Sequence, residues 1–309
     1  MSRNGVLDVC DTTAGEPGAI PAVQRPIVSP KLAPWVLLLP NIAWLLLFMA
    51  GPLVLLGVLS LHGYEPGRGI LQDVWTLDNY TRFLFDPYYL GVLGKTVQMG
   101  VATTLACLLL GFPLAYTLST LRGWQRGLLY FGIILPLLTS AVVRTFGWTI
   151  ILSNNGIINR TLMALGVTDA PIRFMYNMNG VVVALTQIML PFMVLALDAA
   201  LLNINPSVLE AARNLGASRV RVFFLILLPL SLPGIVSGSV LVFSLTISAF
   251  VTPSLVGGAQ VTLMPTLIYQ QAMTLMNWPF GAAIAFIMLF VILMLMMPAL
   301  HFSERNRGA

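Results

Sequence analysis

Six long apolar runs dictate what this chain can become: about Trp35–Leu61, Thr96–Leu118, Leu128–Leu152, Val181–Leu202, Pro233–Val251 and Phe280–Leu300. Each approaches or exceeds the roughly 20 residues that carry a helix across a bilayer. Only helices and closed barrels satisfy their backbone polar groups inside lipid, and these runs lack the alternation of barrel strands. Only 9% of the residues are charged, against about 25% in a soluble domain. The reading is an all-α polytopic membrane protein of six transmembrane helices. A Pro- and Gly-rich tail is expected over 1–34, the membrane domain over 35–302 and a second tail over 303–309. No apolar core comes early enough for a cleaved signal peptide, so the first span is expected to stay as an anchor.

Lys and Arg set the orientation. With the N-terminus inside, Arg3, Arg25, Lys31, Arg122, Arg126, Arg213, Arg219, Arg221, Arg305 and Arg307 fall on the cytoplasmic side. Arg68, Arg82, Arg160 and Arg173 fall outside, Lys95 at a boundary and Arg144 within a span. Both termini are therefore expected in the cytoplasm. This bias accounts for most of the +5 net charge, so no nucleic-acid partner is called for. Cys10 in the tail and Cys107 in the second span are too far apart to bridge, and nothing near them resembles a metal site.

Within the spans, Arg144 is the one strong cation placed deep, where such groups turn to the bundle interior or to water. It is a candidate gate group or structural ion-pair member. Asp198, with Gln187 three turns earlier, could draw a cation along a pathway or pair with a basic residue, and pairing is favoured. Gln187, Gln98 and Asn203 could line a path or bridge helices, and bridging is favoured. Gly234 and Gly238 form a small-xxx-small pair that permits close helix contact, within or between subunits. Prolines mark most spans: Pro40, Pro52, Pro113, Pro136, Pro191, Pro253 and Pro298. Gly94-Lys95-Thr96 mimics the end of a phosphate loop, but position 89 is Tyr89 where the pattern needs Gly. No cofactor is expected on this chain.

The polar insert at about 203–232 separates the fourth and fifth spans. Asn205 is a good N-cap and Pro206 suits the first helical position. Val208, Ala212 and Leu215 then share one helical face, with Glu210, Arg213 and Asn214 on others. Gly216 fits the left-handed residue that closes a helix, and Ser218 can cap the next. The small Ala211-Ala212 pair lets a partner backbone approach, and Glu210 offers a charge for a partner Arg. The pattern is a docking helix for a cytoplasmic protein. A stand-alone carrier or channel has no use for one, and no clustered His, Asp or Ser in the spans suggests an intramembrane enzyme.

Glu210-Ala211-Ala212, Gly216, Ile226 and Leu228-Pro229, in this spacing, resemble the signature loop of permease subunits in bacterial binding-protein-dependent ABC importers. The likeness covers nearly the whole chain. Val143-Arg144-Thr145-Phe146-Gly147-Trp148, Asn155-Gly156-Ile157-Ile158-Asn159 and Thr252-Pro253-Ser254-Leu255-Val256-Gly257-Gly258 resemble the spermidine/putrescine branch, which more often has Tyr where this chain has Phe146. The resemblance implies a type I permease fold and half of a pathway for a small solute such as a polyamine, with other small organic solutes as the alternative. It implies two cytoplasmic ATPase subunits that carry ATP and Mg and hold the helix around Glu210. A second permease, a different chain by the same likeness, completes the pathway. A periplasmic solute-binding protein is the remaining implied partner. The chain itself is then non-catalytic.

Overall fold

A computed structural model describes residues 33–305 of the chain. The expected 1–34 tail falls outside them except for Ala33 and Pro34, which open the first helix, and the last four residues of the expected 303–309 tail also lie outside. Two compact units are present, one ending at Val54 and one beginning at Leu55. Helix α1 (Ala33–Ser60) runs through both. The remaining description concerns the second unit.

The segment after α1 is not a bare loop. Strands β1 (His62–Glu65) and β2 (Gly69–Trp75) pair antiparallel as a hairpin, and helix α2 (Asp78–Phe85) follows. Helix α3 spans Pro87–Thr120 and starts nine residues before the expected second span. The reason is local: Asp86 Oδ1 accepts from Tyr88 N at 2.9 Å, and Pro87 occupies the first turn, where its missing N–H goes unneeded. Apolar run length finds where a helix enters lipid, not where it starts.

The expected third span is broken. Helix α4 (Gly123–Ile134) tightens into a 3₁₀ turn over Leu135–Leu138. Thr139 and Ser140 are extended, and helix α5 (Ala141–Leu152) leaves at 97°. Pro136 has no N–H for the ladder and favours such a break. Helix α6 (Ile157–Ala164) follows after a short turn. Helix α7 (Met178–Leu202) is unbroken despite Pro191. Helix α8 (Pro206–Asn214) and helix α9 (Arg219–Val222) form the insert. The chain continues through a π-helical turn (Phe223–Leu227) into helix α10 (Leu228–Leu230). Helix α11 (Leu232–Ile247) is bent 64° from this approach. Pro233 cannot donate to Pro229 O, which explains the corner at Ser231. Helix α12 (Met264–Tyr269) and helix α13 (Trp278–Arg305) complete the order.

Among the described residues, four helices are thus long and apolar enough to cross a membrane, and up to six crossings result if each bent pair is one span. The continuous third span read from hydropathy is corrected to an angled pair, while the expected fifth span, Pro233–Val251, coincides with unbroken α11 and the turn after it, the bend lying just before it.

The core forms where α3, α7 and α11 meet. A Cβ on Gly111 would stand 3.1 Å from Met193 Cγ, and one on Gly100 would stand 2.8 Å from the Phe243 ring. Cys107 Sγ donates to Thr186 O at 3.5 Å. These contacts run α3 and α7 in one direction, with α11 returning. Gly234 and Gly238 settle their own question: added Cβ atoms would lie 2.3 Å from Ala200 Cβ and 2.9 Å from Met193 Sδ. The small-residue pair serves packing within the chain.

The Gly94-Lys95-Thr96 stretch is plain helix in α3. Thr96 is buried and its Oγ1 accepts from Met264 N at 3.0 Å, which excludes a phosphate loop there.

Candidate coupling and pathway sites

The insert between α7 and α10 is built by its caps. Asn205 Oδ1 accepts from Ser207 N at 3.0 Å and from Ser207 Oγ at 2.9 Å. At the far end Ala217 N donates to Ala212 O at 3.1 Å and Gly216 N to Arg213 O at 2.9 Å. Those two bonds, with Gly216 at φ +82°, make a Schellman closure. Ser218 Oγ then accepts from Arg221 N at 3.4 Å to start α9.

This framework gives α8 distinct faces. Leu209 packs against the main core. Val208 and Leu215 stand 43% and 88% exposed, and Ala211 and Glu210 are also exposed while Ala212 is half-buried. Val208 and Leu215 thus form an apolar edge beside the Ala211-Ala212 pair, and the Glu210 carboxylate has no ion-pair partner among the described residues. Arg213 lies on a third face, in a groove with Leu209 and Arg219. Of the downstream motif residues, Ile226 and Leu228 are half-buried and Pro229 is exposed, and Leu228 packs against the core.

The candidate pathway residues do not converge. Asp198 is buried on α7, and its Oδ2 accepts from Arg126 Nη2 of α4 at 3.0 Å. Gln187 Oε1 accepts from Trp148 Nε1 at 3.1 Å and borders a cleft of about 500 Å³ lined by Pro136, Leu190 and Pro191. The expected helix-bridging role therefore holds for Gln187. Asn203 instead donates to Ala199 O of its own helix. Arg144 on α5 has Nε and Nη1 shielded from solvent without an acceptor among the described residues.

Next to Arg144, Thr145 Oγ1 shares a buried hydrogen bond of 3.0 Å with Thr252 Oγ1. Two of the three motif stretches noted in the sequence thus touch. The third is tied in nearby, since buried Asn159 donates to Ser153 O and Ile172 O and accepts from Ile172 N. Tyr176, at φ +60°, donates its N–H to Val256 O at 2.8 Å. Sequence reasoning singled out the motifs but not these links. Arg126 appeared only as a topology signal, and nothing in linear spacing joins it to Asp198.

The family model for binding-protein-dependent transport system inner membrane components matches residues 33–307. The chain belongs to this family. It is 41% identical over 243 residues to the spermidine/putrescine transport system permease protein PotB of Escherichia coli (strain K12), covering 78% of this chain and 87% of that one. It is 30% identical to the inner membrane ABC transporter permease protein YdcU of the same organism, covering 85% and 88%. In fold it matches a chain of a bacterial ABC transporter involved in the import of the acidic polysaccharide alginate, with a TM-score of 0.73 at 20% identity over 89% of this chain and 96% of that one. The protein is a permease subunit of an ABC importer and an inner membrane component, as its signature loop and apolar helices implied.

Proposed function

We propose that this permease forms half of a pathway for a polyamine such as spermidine or putrescine, powered from outside the chain. The cargo rests on the likeness to the spermidine/putrescine permeases, at 41% identity over most of both chains. Two cytoplasmic ATPases bind ATP and Mg, this chain binds neither, and a periplasmic binding protein delivers the solute. Both termini lie in the cytoplasm. The exposed edge of α8 carries the proposal. Leu215 at 88% exposure, beside Glu210, Ala211 and Ala212, enters a groove on the ATPase. Closure of the ATPases on ATP then moves α8 and switches the bundle between inward- and outward-facing states.

The second half of the pathway is a different permease chain. A polycation needs acceptors along its route, and Asp198 is already engaged by Arg126. Arg144 repels a polyamine and braces the fold beside the Thr145–Thr252 contact.

The test is co-purification with the neighbouring ATPase, joined to spermidine uptake by vesicles holding the assembled transporter. Glu210→Lys and Gly216→Pro are expected to abolish uptake and ATPase capture while membrane insertion persists. Normal uptake in both variants would refute the coupling role. Uptake of another small solute but not of spermidine or putrescine would refute the cargo alone.

A further inference from the structure

Behind α8, on the side away from Leu215, lies a groove of about 430 Å³. Its walls are apolar: Leu209, Val222, Phe223 and Leu227, with the Tyr116 side chain of α3 at one edge. Arg213 and Arg219 border it. Neither takes part in an ion pair among the described residues, where the only two pairs are Arg68–Glu65 and Arg126–Asp198. With 3.6 residues per turn, Arg213 falls about 140–160° round the helix from Val208 and Leu215, with Leu209 about 100–120° from them, so a protein held on the Leu215 edge does not by itself cover Arg213.

The position is as telling as the chemistry. Tyr116 sits one turn before the end of α3, and Phe223 opens the approach to α11. The groove therefore lies where two membrane-crossing segments leave the lipid. An occupant must be anionic at the arginine rim and apolar along Phe223 and Leu227. Basic pockets between helices at a membrane surface hold lipid headgroups in this manner.

We propose that this groove binds an anionic phospholipid, its phosphate on Arg213 and Arg219 and the start of an acyl chain against Phe223 and Leu227. The bound lipid packs behind α8 and makes the stiffness of the coupling helix depend on membrane composition. The meaning of that stiffness rests on the coupling role above, but the lipid site does not.

The test uses the full chain in phosphatidylcholine nanodiscs carrying a trace of photoactivatable phosphatidylglycerol, or the same amount of photoactivatable phosphatidylcholine. Cross-linked peptides are mapped by mass spectrometry, with no ATPase and no transport required. The phosphatidylglycerol probe is expected to label the segment around Phe223, and the phosphatidylcholine probe several-fold less. Arg219→Gln should lower that labelling about fivefold, the effect of one arginine near a charged membrane surface. Arg219→Lys should retain most of it, and Arg160→Gln, far along the chain in α6, should leave it unchanged. Equal labelling by both probes would overturn the proposal. So would unchanged labelling in Arg219→Gln, or displacement by inorganic phosphate. Complete loss of labelling on adding the ATPase would assign the groove to the protein interface instead.

Discussion

Asp198 and Arg126 meet at 3.0 Å on unequal terms: the carboxylate side chain is 6% exposed and the guanidinium 30%. Removing the arginine strands a buried charge, whereas removing the carboxylate leaves a cation that still reaches water. Uncompensated burial of this kind costs about 3–5 kcal/mol. Arg126→Leu is therefore expected to lower the thermal midpoint in detergent well below that of Asp198→Asn. The double variant should recover most of the loss. Equal midpoints for the two single variants would contradict the asymmetry.

The contact of α11 with α7 makes a sharper prediction. Gly234→Ala would place its Cβ 2.3 Å from Ala200 Cβ, against backbone-anchored carbon that cannot yield. Gly238→Ala meets the Met193 sulfur at 2.9 Å, the flexible part of a side chain. Gly234→Ala should reduce the folded yield severely and Gly238→Ala mildly. Ala200→Gly should rescue the first, because the next neighbours of the new Cβ are Ala196 O at 3.2 Å and Leu197 Cα at 3.6 Å. Size-exclusion recovery from membranes measures all three.

The exposed tip of α8 can be tested without transport. Burying one leucine in an interface contributes about 1.5–3 kcal/mol, so Leu215→Asp should weaken ATPase association at least tenfold. Val220→Asp changes another exposed apolar residue on α9, away from this edge, and should leave association near the parental value. Titration of detergent-solubilised permease with labelled ATPase distinguishes the two.

Thr145 and Thr252 share one hydrogen bond across 107 positions of sequence. Side-chain bonds between membrane helices average about 0.6 kcal/mol. Thr252→Val and Thr145→Val should each lower stability slightly, and the double variant should lose less than their sum. Strict additivity in chemical unfolding would show that the two hydroxyls act independently.

Much of this was legible in the sequence because it rests on local rules. Asn205, Pro206, Gly216 and Ser218 each occupy the cap or turn expected of that residue type. The family follows from fixed spacing around Glu210. The corner within the expected third span and the bent approach to α11 were not legible, since hydropathy sums are blind to direction. Pro136 and Pro233 marked the corners, but many membrane helices accommodate proline, and α7 does so at Pro191. The early start of α3 carried a readable signal, the Asp86-Pro87 pair, hidden by a polar first stretch. The partnerships of Asp198 with Arg126 and Gln187 with Trp148 depend on how the helices fold together, for which linear spacing offers no guide.

The corner at Thr139 and Ser140 divides one bent pair of helices between two masters. Before it, α4 is clasped by Asp198 near the end of α7 that leads into α8. After it, α5 is fastened through Thr145 to the segment after α11. Under the proposed coupling role, a push arriving through the loop reaches only the near limb directly, and the far limb answers to the segment after α11, so the bent pair works as a jointed arm rather than a rod.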